Sequence, residues 1–140
     1  MTIHLHQTSS SASEATIRGH NVTIDRPADK GGTDTGPMGG ELFLAAVGGC
    51  FMSNLLAAIK AREARVSAVQ TEVTAKLEGT PARFTGIALQ VAADCEDRDL
   101  LEKLVEIAER GCIMVNTLRD KLDLEVRIAA TRESGAAATP

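Results

Sequence analysis

The stretch GELFLAAVGGCFMSNLLAAIKAREAR, from Gly40 to Arg65, constrains the fold of this chain more than any other segment. Alanine and leucine dominate it, which predicts a helix of roughly twenty residues. Its first half is apolar on every side and is expected to be buried, while Lys60, Arg62 and Glu63 mark a solvated end. Three or four short strands cannot wrap such a helix within 140 residues. A second copy of the chain can, so the sequence predicts a homodimer whose long helices lie inside the interface. Gly48 and Gly49 sit within this helix, where each glycine costs about 1 kcal/mol relative to alanine. Their lack of bulk implies a close approach there by another helix, a second chain or a substrate.

The remaining elements arrange themselves around that helix. ATIRGH and NVTIDRP read as two short strands about a Gly-His-Asn turn. ADKGGTDTGPMGG, from Ala28 to Gly40, is dense in glycine and reads as an irregular loop. After the helix, VSAVQTEVTAKLEG alternates as a strand with Val69 out of phase, GTP turns the chain, and RFTGIALQVAAD forms the second arm of a hairpin. In that arm Phe84 and Gly86 fall in one phase and Ile87, Leu89 and Val91 in the other. DRDLLEKLVEIAERG places Leu100, Leu101, Leu104, Val105 and Ile107 in one helical stripe, with Asp97 and Asp99 at its start and Gly111 able to cap its end. CIMVNTLRDK reads as a short helix, and LDLEVRIAA as a final strand with Leu124, Val126 and Ile128 on one face. This order predicts an α+β fold in a single domain over residues 1–131, followed by a tail at 132–140 without packing residues.

Composition removes several function classes. Aromatic residues make up 2% of the chain and the formal net charge is -4, so neither the stacking platforms nor the basic footprint of a nucleic-acid surface is present. The start, MTIHLHQTSSSASEA, has no basic segment followed by a long apolar run. The run Leu42–Val47 is too short to span a bilayer, and Glu41 and Asn54 flank or interrupt the wider segment. The reading is a cytoplasmic protein without a membrane partner. His4 and His6 alternate as neighbours on an exposed strand face, and no Cys/His spacing suggests a structural metal site.

Three cysteines remain, an odd number that is no secreted disulfide framework. A cysteine in an apolar helix is ordinarily a small buried hydrophobe. Cys50 departs from that pattern because Gly48 and Gly49 clear the space beside it, and because Glu41, nine residues upstream, can serve the helix dipole or fix a cation. Cys112 follows Gly111 and opens a short helical segment, where backbone N–H groups favour a thiolate; the alternative is a buried contact anchoring the turn. Cys95 lies among acids in ADCEDRD, which disfavour a thiolate, and reads as a bystander.

GPMGGELFLAAVGGC, followed by AERGCIMVNTL with its cysteine 62 residues after the first, resembles the OsmC/Ohr superfamily of osmotically inducible and organic hydroperoxide resistance proteins, in its OsmC-like branch. The resemblance runs from about Val22 to Ile128. It implies an intertwined homodimer in which an antiparallel sheet from each chain wraps long central helices. It further implies a thiol-dependent peroxidase that uses no metal or flavin cofactor. A cysteine matching Cys50 attacks an organic hydroperoxide, one matching Cys112 resolves the sulfenic acid as a disulfide, and an external thiol or dithiol restores both. An N-terminal arginine held by a glutamate supports the thiolate in that scheme. Glu41 matches the glutamate of the OsmC-like branch, while Arg26, Arg18 and Lys30 are the candidate cations, with Arg26 preferred. Leu42, Phe43, Phe51 and Met52 would line an apolar substrate site. Gly39 stands where the family pattern has its second proline, and Gly40 where the peroxidase members carry glutamate. A dimeric protein that binds a small apolar ligand without turnover, or a redox sensor, is the alternative.

Overall fold

The computed structural model describes residues 1–129. The boundary expected at residue 131 and the tail expected at 132–140 lie outside them. The chain is built as two compact units, residues 1–43 and residues from 44 onward.

The first unit is a three-stranded antiparallel sheet in the order β1 (His4–Gln7), β2 (Ser13–Ile17), β3 (His20–Ile24). The β2–β3 hairpin turns on Arg18 and Gly19 rather than on Gly-His-Asn, and both have positive φ, 50° and 84°. This places left-handed backbone at both central positions of a two-residue loop, which matches the twist of the flanking strands. His4 and His6 lie on exposed β1, where His6 faces Glu14 across the ladder at 3.8 Å.

A short 3-10 turn at Ala28–Lys30 follows, and the irregular loop it belongs to is organised by one buried carboxylate. Asp25 accepts hydrogen bonds from the backbone N–H of Arg26 (2.7 Å), Thr33 (3.2 Å) and Thr35 (3.1 Å), and from the hydroxyls of Thr33 and Thr35, both at 2.8 Å. Gly32 and Gly36 are needed because the loop folds back tightly: a Cβ on them would sit 1.9 Å from the Arg26 carbonyl oxygen and 2.4 Å from that of Thr23.

Helix α1 (Gly39–Ala61) carries the chain into the second unit. Its 23 residues are long and apolar enough to cross a bilayer by length and composition, which the short run Leu42–Val47 does not reveal. Val47, Gly48, Phe51, Leu55 and Ala58 form a buried stripe on it, as in a core helix. The expected burial on every side is not met within one chain: Ala45, Ala46, Gly49, Leu56 and Ala57 are exposed. A three-stranded sheet covers only one side of a helix.

That sheet has the order β4 (Ser67–Glu78), β5 (Arg83–Asp94), β6 (Asp123–Ile128). β4 and β5 pair antiparallel, but β5 and β6 pair parallel, so the sheet is mixed rather than antiparallel throughout. The cause is the connection: α2 (Arg98–Gly111) and α3 (Ile113–Leu118) lie between β5 and β6, and such a crossover returns the chain to the end from which β5 began. The out-of-phase Val69 is a bulge, since the register advances three residues on β4 and two on β5 between Ser67 and Gln70. The phase change after Phe84 has the same origin, with Thr85 the extra residue on β5. Thr71, Val73 and Ala75 thereby share a face with Ile87, Leu89 and Val91 of β5 and Leu124, Val126 and Ile128 of β6. The α1 stripe meets this face at Val73, and Leu101, Leu104, Val105, Ala108 and Val115 of α2 and α3 complete the buried set. Asp97 caps α2 by accepting the Leu100 N–H at 3.0 Å. Gly111 is the last helical residue of α2, and Cys112 holds the cap position in extended conformation, so the expected glycine cap is not used.

Candidate thiol site

Cys50 lies two turns past the first apolar residues of α1, half-buried, while Cys112 is fully buried at the corner between α2 and α3. The two thiols are close enough that each shifts the titration of the other. Around them the first backbone N–H groups of α3, which have no partner inside the helix, face the two sulfurs, and that of Met114 acts on both. Those of Met114 and Ile113 favour the Cys50 thiolate. That of Val115 donates to the Cys112 sulfur at 3.5 Å, making the thiol the cap of its own helix.

This division sets the electrostatics. The Met114 N–H is the largest influence on Cys50 and holds its thiol below the ordinary value of 9.0, helped by Cys112 and the Ile113 N–H against partial burial. Burial pushes the Cys112 thiol up, the nearby Cys50 adds to that, and the Val115 and Met114 N–H groups offset only part of it. The sequence assigns the thiolate-favouring helix start to Cys112 itself; in the folded protein it serves mainly Cys50, because Cys112 at the cap is removed from water while Cys50 faces the same N–H groups from outside. At neutral pH the arrangement provides one activated thiol beside a protonated one.

The other expected residues are distributed differently. Glu41 is the third helical residue of α1, and its Oε2 accepts the Met38 N–H at 2.7 Å, as in a capping box. Nine residues at 100° each put Glu41 about half a rotation away from Cys50 on the same helix. Arg26 is exposed and, with Lys30, Ser11, Ser13 and Met38, lines a cavity of about 330 Å³ in the first unit. Among the described residues, Arg26, Lys30 and Glu41 take part in no ion pair. Arg18 is a turn residue of the first hairpin.

Of the expected apolar lining, Phe51 has no exposed surface and belongs to the core, so it is not available to a ligand. Its position in the stripe Val47, Phe51, Leu55, four residues apart, is the signal that separates it from its neighbours. Met52 is half-buried and its sulfur accepts the Thr71 hydroxyl at 2.9 Å. Leu42 and Phe43 are half-buried at the start of α1. Gly48 is explained by Val73, whose Cγ2 would lie 2.7 Å from an added Cβ, whereas Gly49 has open space around it. Cys95 donates to the Asp97 carbonyl at 3.1 Å and borders a cavity of about 560 Å³ between Arg62, Arg65 and Leu100, away from the other two thiols. No group of three or more His, Cys, Asp or Glu side chains among the described residues is placed to hold a metal ion.

Sequence reasoning missed two residues. Asp25 is one, and the alternation of Thr33 and Thr35 downstream of an aspartate is its only trace. Asn54 is the other: its Nδ2 donates to the Cys50 carbonyl at 2.9 Å.

A family model described as OsmC-like protein matches residues 32–127. Solved structures share the fold. An OsmC-like protein from Mycoplasma pneumoniae is 17% identical with a TM-score of 0.79, covering 91% of this chain and 94% of that one. The organic hydroperoxide resistance protein OsmC from Legionella pneumophila is 22% identical with a TM-score of 0.71, covering 91% and 95%. The organic hydroperoxide resistance protein OhrB of Bacillus subtilis is 22% identical with a TM-score of 0.65, covering 92% and 98%. At these identities the likeness concerns the fold alone. No curated protein matches the chain.

Proposed function

The chain belongs to the OsmC-like protein family, and on that premise we propose that it is a thiol-dependent peroxidase acting on organic hydroperoxides. The observation that carries this reading is the neighbouring pair of one lowered and one raised thiol, Cys50 and Cys112. The Cys50 thiolate attacks the terminal peroxide oxygen, the O–O bond breaks, and the alkoxide leaves as an alcohol after taking a proton. Cys50 becomes a sulfenic acid. The Cys112 sulfur then displaces hydroxide from it, which leaves as water with the Cys112 proton, and a Cys50–Cys112 disulfide results. An external thiol or dithiol reduces the disulfide. Contact between the thiols in the reduced protein favours resolution over further oxidation of the sulfenic acid.

The working unit in this reading is a cytoplasmic homodimer. The exposed apolar side of α1, with Ala45, Ala46, Gly49 and Leu56, supports it, since a second copy would remove that surface from water. Arg26 is the preferred cation beside the thiolate, and Leu42, Phe43 and Met52 the preferred apolar contacts for the alkyl group. Mass spectrometry after one equivalent of cumene hydroperoxide tests the chemistry. The expected product is a Cys50–Cys112 disulfide, and persistence of both free thiols overturns the reading.

One observation favours a second reading, a dimeric protein that binds a small apolar ligand without turnover. Glu41 is engaged with the Met38 N–H and, among the described residues, pairs with no arginine. Stopped-flow turnover with a dithiol separates the two: the peroxidase reading requires turnover that Cys50→Ser abolishes.

A further inference from the structure

Two residues in the second unit are poor local choices for the elements they occupy. Asn54 sits in the middle of an apolar helix, where its amide competes with the backbone for hydrogen bonds. Gly111 sits inside the last turn of α2 without a positive φ, so the backbone there does not require glycine. Each explains the other. The Asn54 amide donates to the Cys50 carbonyl at 2.9 Å, and its Oδ1 lies 2.9 Å from where a Cβ on Gly111 would be. A methyl on residue 111 would displace the amide from its seat against the α2 backbone. The contact spans the two segments that carry the thiols, one turn beyond Cys50 and one residue before Cys112.

We propose that Asn54 is a positioning residue that, seated on Gly111, fixes the register of α1 against the α2–α3 corner and thereby the approach of Cys50 to Cys112. The sulfur of Cys50 reaches two N–H groups and a thiol that belong to that corner. Hydrogen bonds weaken steeply with misalignment, so a small slip of α1 along the corner weakens all three together. The amide is suited to this because it is tied to the very residue whose side chain must be aimed. The inference rests on the peroxidase reading for its consequence in turnover, but not for its consequence at the thiol.

The test therefore uses two readouts on the full chain. The pH profile of Cys50 alkylation by iodoacetamide, in a Cys95→Ser background, needs no peroxidase activity. Peroxide-driven disulfide formation reports the consequence in turnover. Asn54→Ala is expected to move the alkylation midpoint up by roughly 0.5 pH units or more. It is also expected to slow disulfide formation about threefold or more, with the melting transition still cooperative. Gly111→Ala approaches the same contact from the other side and is expected to produce the same shift. The double variant should be no worse than the more affected single one, the signature of one shared contact. An unchanged alkylation profile in Asn54→Ala and Gly111→Ala, or fully additive effects, overturns the proposal whatever the enzyme does. If the unaltered protein forms no disulfide with peroxide, the peroxidase reading fails, while the alkylation profiles still decide the role of Asn54.

Discussion

The thiols of Cys50 and Cys112 act on one another at the start of a six-residue helix, yet the surroundings drive their titrations apart, Cys50 down and Cys112 up. Backbone N–H groups dominate at the first and burial at the second. Two like groups held in contact therefore have different chemistry at one pH, the condition that separates an attacking thiol from a resolving one.

This split has a sign that can be measured. Alkylation of Cys50 is expected to titrate below 9.0 and that of Cys112 above it. For Cys50 the unfolded chain holds the proton to higher pH, so stability rises as pH passes from the folded value up to 9.0 and is retained above it. For Cys112 the folded chain holds the proton longer, so stability falls as pH rises beyond 9.0. Urea titrations from pH 6 to pH 11 (about one unit apart) should show the rise disappearing in Cys50→Ala and the fall disappearing in Cys112→Ala.

Asp25 predicts an acid response confined to the first unit. Five hydrogen bonds, the Thr33 hydroxyl first among them, hold its carboxyl far below the ordinary 3.8. Its contribution is thus fully present above 3.8 and is lost progressively as pH falls below it. Asp25→Asn removes this pH dependence, and because the amide cannot accept on both sides, the loop from Arg26 to Gly36 loosens. Trypsin should then cut after Lys30, whose next residue is Gly31, faster than in the unaltered chain.

Gly48→Ala is expected to destabilise by about 1–3 kcal/mol, since the added methyl enters the space of Val73 in a packed core. The denaturation midpoint falls while the slope holds. Gly48→Ala combined with Val73→Ala should recover part of the loss.

Gly49→Ala tests the proposed dimer. Among the described residues nothing lies within 4 Å of the added methyl, so helix propensity alone would favour the change by about 1 kcal/mol. If the exposed side of α1 is where two copies meet, the same methyl obstructs their approach. Sedimentation at decreasing concentration is expected to show weaker self-association than in the unaltered protein; unaltered association places the interface elsewhere.

Much of the fold was legible because it rests on local periodicity. The β4–β5 hairpin, with Val69 out of phase, and the apolar stripe of α2 are patterns of one or two turns or pleats, and they fold as read. The parallel seating of β6 was not legible, since strand direction depends on where α2 and α3 return the chain. The pair Cys50 and Cys112 was legible as a motif, but not Phe51 as core, because an apolar residue next to a cysteine has the same sequence signature whether it faces a ligand or a sheet.

By itself the sequence determined the elements, their order and the two cysteines 62 residues apart, since propensity and apolar spacing act within a few residues of each position. Tertiary structure alone decided which thiol receives the N–H groups of α3, why Gly48 but not Gly49 lacks room for a methyl, and why Asn54 faces Gly111. Each of those depends on distances between segments remote in the chain, and no local pattern encodes a distance of that kind.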